Sequence, residues 1–226
     1  MENSIDYNDS GEKIVNIINS AYKFVQENIR WAITEHDLYE NINNNIERNN
    51  LYAQNIFVGF NENTLNESYL PQPGKSKIIK RQGWLSIKID HIFRQEKVIN
   101  TVAWIAKLGG NPEYKFENLY NKLIELRDTS YTFIYEKISK LEKLEKIDLE
   151  EFLDDQSKII LENNQILQRD IKIKNINNNE IHINFLIYSV IDDVKFPVNI
   201  HYISKNNKLE VLNRFQKNLL IINTAN

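Results

Sequence analysis

Apolar and polar residues alternate through residues 170–203, and this two-residue period predicts three antiparallel strands. Two short polar turns, one at 177–179 and one at Asp192 and Asp193, each set a strand register. Because both registers place their apolar residues on the same face, the chain should end in an antiparallel meander with one core face. The predicted pairs are Ile191 with Val194, Ile187 with Val198, Phe185 with Ile200, Ile183 with Tyr202, Ile173 with Ile183, and Ile171 with Phe185.

The opposite face of this meander is mixed in character, and we expect it to be solvated or to meet a partner. Pro197 lacks an N–H donor, which predicts that the fourth segment, Lys208–Val211, breaks off, bulges or lies at an edge. The residues of the mixed face are Lys172, Lys174, His182, Asn184, Leu186, Tyr188, Lys195, Asn199 and His201.

The first part of the chain has a helical period. Apolar residues recur at steps of three and four over residues 12–48, which predicts one long amphipathic helix. A strand is predicted at 51–60, and a strand or hairpin at 78–89. Between them, residues 61–74 are polar and hold two of the four prolines, which predicts an exposed loop and the best internal boundary.

Residues 94–167 predict three helices. The first covers 94–108 and ends at a Gly-Gly pair, as helices commonly do. The second covers about 112–146, and the third begins with Asp148 as its N-cap and ends near residue 167.

Helices precede strands in this order, so the predicted fold class is α+β. Long amphipathic helices are followed by the C-terminal antiparallel meander within residues 168–223, with a small additional sheet near residues 51–90. The predicted division is an N-terminal helical region with its loop, residues 1–70, and an α+β region, residues 71–226. A single domain is the alternative.

Composition narrows the function classes. With 226 residues, 42% of them hydrophobic, the chain can bury a sizeable core. It contains no cysteine, which excludes a disulfide framework, a thiolate nucleophile and a cysteine-type zinc site; we predict no cofactor and no metal. The net charge of −3 argues against a protein that coats nucleic acid. No segment predicts a membrane span or a leader, so we expect a cytoplasmic protein.

Arg30 and His36 are the pair that most suggests catalysis. An arginine followed a few residues later by a histidine on a helix resembles the active-site signature of HEPN ribonucleases. The resemblance implies that Arg30 and His36 cleave RNA and that the protein is a dimer. The alternative to a catalytic pair is two solvent-facing polar residues beside Trp31. On a helix with about 3.6 residues per turn, Arg30 and His36 lie roughly 120° apart, so they need not act together.

Two groups of basic residues are candidate sites for nucleic acid or another anion. The first is followed by Trp84, which can stack on a base if exposed or can enter the core. The second lies on the mixed face of the meander, where it can hold an anion or be solvated. The first group is Lys75, Lys77, Lys80 and Arg81, and the second is Lys172, Lys174, His182 and His201.

These observations predict a non-catalytic, protein-binding accessory, regulatory or immunity-type protein of a bacterium or mobile element. Its partner would be another protein or a second copy, because the long helices carry more apolar surface than one small sheet covers. The alternative is a nuclease or nucleic-acid-binding protein that uses residues 75–81 and the HEPN-like pair. The sequence identifies neither a partner nor a substrate.

Overall fold

The computed structural model describes residues 7–93, 97–140, 143–161, 167–177, 180–206, 208–212 and 216–224. Its N-terminal part contains helix α1 (Tyr7–Asn28), a 3-10 turn (Ile29–Trp31) and helix α2 (Glu35–Arg48). The predicted single helix is therefore broken. Ala32 adopts a left-handed conformation with φ 55°, and Thr34 caps α2 through a reciprocal capping box with Asp37.

The first sheet contains strands β1 (Ala53–Phe60), β2 (Gly83–Phe93), β3 (Val98–Leu108) and, from the end of the chain, β8 (Leu220–Ile222). Its order is β1-β2-β3-β8, and only β8 runs parallel to its neighbour. The helix predicted over 94–108 is wrong where the structure describes it, because Val98–Leu108 is a strand. Both faces of β3 are buried, so its apolar residues do not alternate with polar ones in the sequence.

Two helices follow the first three strands. Helix α3 spans Tyr114–Ser139 and α4 spans Lys146–Ile160, both shorter than predicted. Asp148 is not the N-cap of α4, since Glu145 occupies that position and forms a capping box with Asp148 three residues later.

The second sheet confirms the predicted meander. It contains β4 (Gln168–Asn177), β5 (Glu180–Ile191), β6 (Val194–Lys205) and β7 (Lys208–Val211), in the order β4-β5-β6-β7. All six predicted residue pairs are present, and Lys208–Val211 lies at the sheet edge as expected. Residues 178 and 179 of the predicted first turn lie outside the described part of the chain.

Each sheet has its own helical cover. Helices α1 and α2 pack on the first sheet, with Ile18, Leu38 and Ile87 fully buried between them. Helices α3 and α4 pack on the second sheet over the predicted apolar face. Trp84 lies in this second core, which was one of the two positions predicted for it. The fold class is α+β, as predicted.

The proposed division at residues 70 and 71 stays a prediction, although β1 and β2, which lie on either side of it, pair from Ala53 with His91 to Phe60 with Leu85. Among the described residues, no helix is long and apolar enough to cross a membrane.

Candidate functional site

The face of each sheet that the helices do not cover is turned toward the other sheet. The region between these two faces, here called the inter-sheet space, is lined by polar side chains. On β5 and β6, the residues that line this space belong to the mixed face of the meander. That face was expected to be solvated or to meet a partner. That expectation is wrong for β5 and β6, because His182, Asn184, Asn199 and His201 are all less than 5% exposed and meet β3 of the same chain. Lys172 and Lys174 of the same face, on β4, are exposed. Alternate residues of β2 and β3, among them Ser86, Lys88, Asp90, Thr101 and Ala103, face them.

Side-chain amides close the open edge of β3. The Asn199 Nδ2 donates to the Thr101 carbonyl at 2.6 Å, and the Ala103 N–H donates to Asn199 Oδ1 at 2.9 Å. Gln216 makes the same two-way contact with the N–H and carbonyl of Ile105, at 2.9 and 2.7 Å. Over this stretch the backbone of β3 is therefore satisfied by amide groups rather than by a neighbouring strand.

Asn184 links the second sheet to a carboxylate on the first. Its Nδ2 lies 3.1 Å from the Thr101 hydroxyl, which in turn donates to Asp90 Oδ1 at 2.7 Å. The other Asp90 oxygen accepts from Asn55 at 3.4 Å and lies 3.8 Å from the Lys88 ammonium. Asp90 is thus held by hydrogen bonds from its own sheet, and Thr101 connects it to Asn184 of the second sheet.

A buried hydrogen-bonded chain of two histidines lies beside this carboxylate. His182 Nδ1 is 3.1 Å from His201 Nε2, while its Nε2 is 2.9 Å from Glu180 Oε1. The remaining nitrogen of His201 is 3.1 Å from Asn100 Oδ1. Burial, and after it the charge of His182, places the pKa of His201 well below its usual value.

A cleft of about 220 Å³ opens at one end of the inter-sheet space. We call it the basic cleft, because three lysines line it together with the buried His182 and Asn184. Lys172 lies 3.0 Å from Asp170, and Lys174 donates to the Lys97 carbonyl at 3.0 Å. The residues that line the basic cleft are Lys97, Val98, Ile99, Lys172, Ile173, Lys174, His182 and Asn184.

A much smaller cavity, with free volume of about 20 Å³, lies at the other end. Lys195 spans it, with its ammonium 2.5 Å from Glu67 and 3.8 Å from the centre of the Tyr188 ring. Burial, and then the negative charge of Glu67, raises the pKa of Tyr188 to about 12. This cavity is filled by its own ion pair and has room for about one water molecule.

The structure separates the predicted catalytic pair. Arg30 lies in the 3-10 turn over the ring of Trp31, at 4.9 Å, whereas His36 lies in α2 and stacks on Tyr39. The left-handed Ala32 stands between them, so they do not share a helix. Neither residue lies in the inter-sheet space.

The two predicted basic groups have different surroundings. Lys75, Lys80 and Arg81 are exposed ahead of β2, and Lys77 forms an ion pair with Glu62. In contrast, Lys172, Lys174 and His182 are brought together in the basic cleft, and His201 lies directly behind His182. That either group binds an anion stays a prediction.

Sequence reasoning missed Asp90, Thr101 and Gln216 as residues of the site. Thr101 lay inside the segment predicted as a helix, so its pairing with Asp90 on the adjacent strand was hidden. An alternative strand prediction for 98–108 would have placed both side chains on one face.

Neither a protein-family model nor a curated protein sequence matches this chain. Solved structures do. Prolidase from Thermococcus sibiricus superimposes with a TM-score of 0.70 at 12% identity, over 96% of this chain and 60% of the prolidase. The X-Pro aminopeptidase of Thermotoga maritima MSB8 gives 0.69 at 8% identity, over 96% and 62%. This chain has the fold of these peptidases. It spans about three fifths of their length.

This finding corrects the predicted function. The accessory, regulatory or immunity-type assignment is wrong, as is the nuclease alternative, because the structures that share the fold are peptidases. The sequence argument depended mainly on the absence of a recognisable catalytic motif. One of its two proposed interaction surfaces, the mixed sheet face, is buried on β5 and β6.

A zinc-substituted aminopeptidase P from Escherichia coli, in complex with product, also shares the fold, with a TM-score of 0.55 at 14% identity over 92% of this chain and 54% of the enzyme. The described residues of this chain do not fit such an ion, because no three His, Asp or Glu side chains among them converge as ligands. The Asp90 oxygens are held by Thr101 and Asn55, and the two histidines face each other.

Proposed function

We propose that this chain is a peptidase-fold protein that binds peptides in the basic cleft, at one end of the space between its two sheets. The observation that carries the proposal is the superposition on a prolidase and an X-Pro aminopeptidase over 96% of this chain. Those two proteins are named for action on peptides, and an extended peptide is the ligand class that we carry over.

The geometry supports the basic cleft as the place of entry. Its volume of about 220 Å³ exceeds the room needed for a single side chain, whereas the cavity beside Lys195 holds about 20 Å³. The middle of the inter-sheet space is occupied by the amides of Asn184 and Asn199. A ligand therefore meets the site from the end where β4 and the start of β3 face each other.

Strand β4 offers a second reason for a peptide ligand. It is the outermost strand of its sheet among the described residues, and it borders the basic cleft through Lys172, Ile173 and Lys174. Extended peptides commonly bind by adding a strand to such an edge, with alternate side chains in neighbouring pockets. The proposal includes no metal-dependent step, because the described side chains do not fit a metal ion.

Isothermal titration calorimetry with unlabelled peptides of three to eight residues, with free and with blocked termini, tests the proposal. We expect saturable binding to one site. Release of amino acids, followed by mass spectrometry in the same samples, reports any turnover. If no peptide of the panel binds, the proposal is refuted.

A blocking variant locates the binding. Ile99→Trp places a larger side chain in the basic cleft and should abolish peptide binding. Ile159→Trp is the matched control, because Ile159 is 76% exposed on α4 and lies outside the inter-sheet space. Equal binding by both variants would contradict the proposed location.

We also propose a cytoplasmic location, which is supported by the absence of cysteine. Cell fractionation with an antibody against the protein tests it.

A further inference from the structure

The basic cleft concentrates positive charge in a protein whose net charge is −3. Its three lysines come from two separate parts of the chain, Lys97 from the turn before β3 and Lys172 and Lys174 from one face of β4. The strand period of two residues places the last two side by side. The fold, rather than a run of basic sequence, brings the three ammonium groups to one opening.

Two of the described carboxylates lie near the cleft. Asp170 lies 3.0 Å from Lys172 at the rim of the cleft. Glu180, behind His182, is itself approached by Lys205 at 3.7 Å. Like charges held close together repel one another, and an anionic ligand relieves that repulsion.

We infer that the basic cleft is a carboxylate-binding subsite for the peptide, so this inference rests on the proposed function. The carboxylate is either the C-terminus of the peptide or an Asp or Glu side chain. A peptide extended along β4 would place alternate side chains over Lys172 and Lys174, where ammonium groups donate charge-assisted hydrogen bonds to carboxylate oxygens.

Calorimetry with four forms of one peptide separates the two sources of the carboxylate. The forms combine a free or amidated C-terminus with glutamates or with glutamines in their place. We expect the form without any carboxylate to bind roughly tenfold more weakly than the best form, as two exposed ion pairs would give. The advantage should shrink as salt rises from low to moderate concentration.

Charge variants assign the effect to the cleft. Lys172→Gln with Lys174→Gln should remove the difference in affinity between the carboxylate and neutral forms of the peptide. The control is Lys23→Gln with Lys158→Gln, which changes the net charge equally at two lysines, 73% and 74% exposed, on α1 and α4. Lys172→Glu with Lys174→Glu should instead favour a peptide that carries arginines in place of the glutamates.

Two results would overturn the inference while leaving the proposed function intact. One is equal affinity for the carboxylate and neutral forms, and the other is an equal loss in the cleft variant and the control. If no peptide form binds at all, the proposed function fails together with the inference. Circular dichroism of each variant verifies that the comparison is made between folded proteins.

Discussion

Asn199 should be one of the most sensitive positions of the inter-sheet space. Its amide satisfies both the Thr101 carbonyl and the Ala103 N–H, and its side chain is 3% exposed. Asn199→Ala leaves these two β3 backbone groups without their partner. At about 1–3 kcal/mol for each of the two orphaned buried groups, we expect the free energy of unfolding to fall by about 2–6 kcal/mol.

Urea denaturation followed by circular dichroism measures this loss. In a chain of this size, about 2–6 kcal/mol corresponds to a lowering of the Tm by roughly 4–24 °C. Asn175→Ala is the matched control, because Asn175 lies on the exposed part of β4 and should change stability by less than about 0.5 kcal/mol. A loss below about 1 kcal/mol for Asn199→Ala would refute the reasoning, since it would mean that water satisfies the edge of β3.

Three further perturbations test other parts of the structure. The carboxylate of Glu35 is fully buried and accepts hydrogen bonds from four groups: the Phe60 N–H, the Asn63 amide, the Tyr69 hydroxyl and the Lys77 N–H. Glu35→Ala should therefore lower the free energy of unfolding by about 3–5 kcal/mol, measured by urea denaturation. A loss under about 1 kcal/mol would contradict the stabilising role of this network. His201 resists protonation in the folded state, so the unfolded chain takes up a proton as the pH falls below about 6.5 and stability falls by up to about 1.4 kcal/mol per pH unit. His201→Asn should reduce that slope between pH 6.5 and 5, and an unchanged slope would show that His201 does not contribute to it. Ala32 adopts a left-handed conformation with φ 55°, which favours glycine, so Ala32→Gly should raise the Tm slightly, by the equivalent of about 0.4–1 kcal/mol. A lowered Tm would show that the backbone of Ala32 is not strained.

The second sheet could be predicted in full because three kinds of signal agreed. Its apolar residues alternate, Asp192 and Asp193 form a two-residue turn, and the edge strand follows a proline that cannot extend the pairing. Both turn aspartates adopt positive φ, at 49° and 58°, as such a turn requires. Local pattern and global fold support the same register there.

The first sheet was predicted only in part, for a physical reason. A strand buried on both faces has no alternation, and Val98–Leu108 ends at Gly109, which also suits a helix terminus. The break between α1 and α2 was hidden in the same way, because Ala32 is a good helix former that here adopts a left-handed conformation.

The site depends on contacts between the two sheets, which no local pattern encodes. His182, His201, Lys172 and Lys174 were correctly placed on one face, but the buried part of that face, on β5 and β6, was expected to be solvated or to meet a partner. Its burial follows from the amide contacts with β3, and β3 was predicted as a helix. The error in one strand therefore carried over to the environment of the site.

The most direct test of the central claim is an NMR titration of the isotope-labelled protein with the tightest peptide of the calorimetric panel. Binding in the inter-sheet space predicts amide shift changes concentrated at Lys97, Ile99, Lys172, Lys174 and His182. Shift changes confined to a different surface, such as the cavity beside Arg30 and Asn223, would contradict the claim.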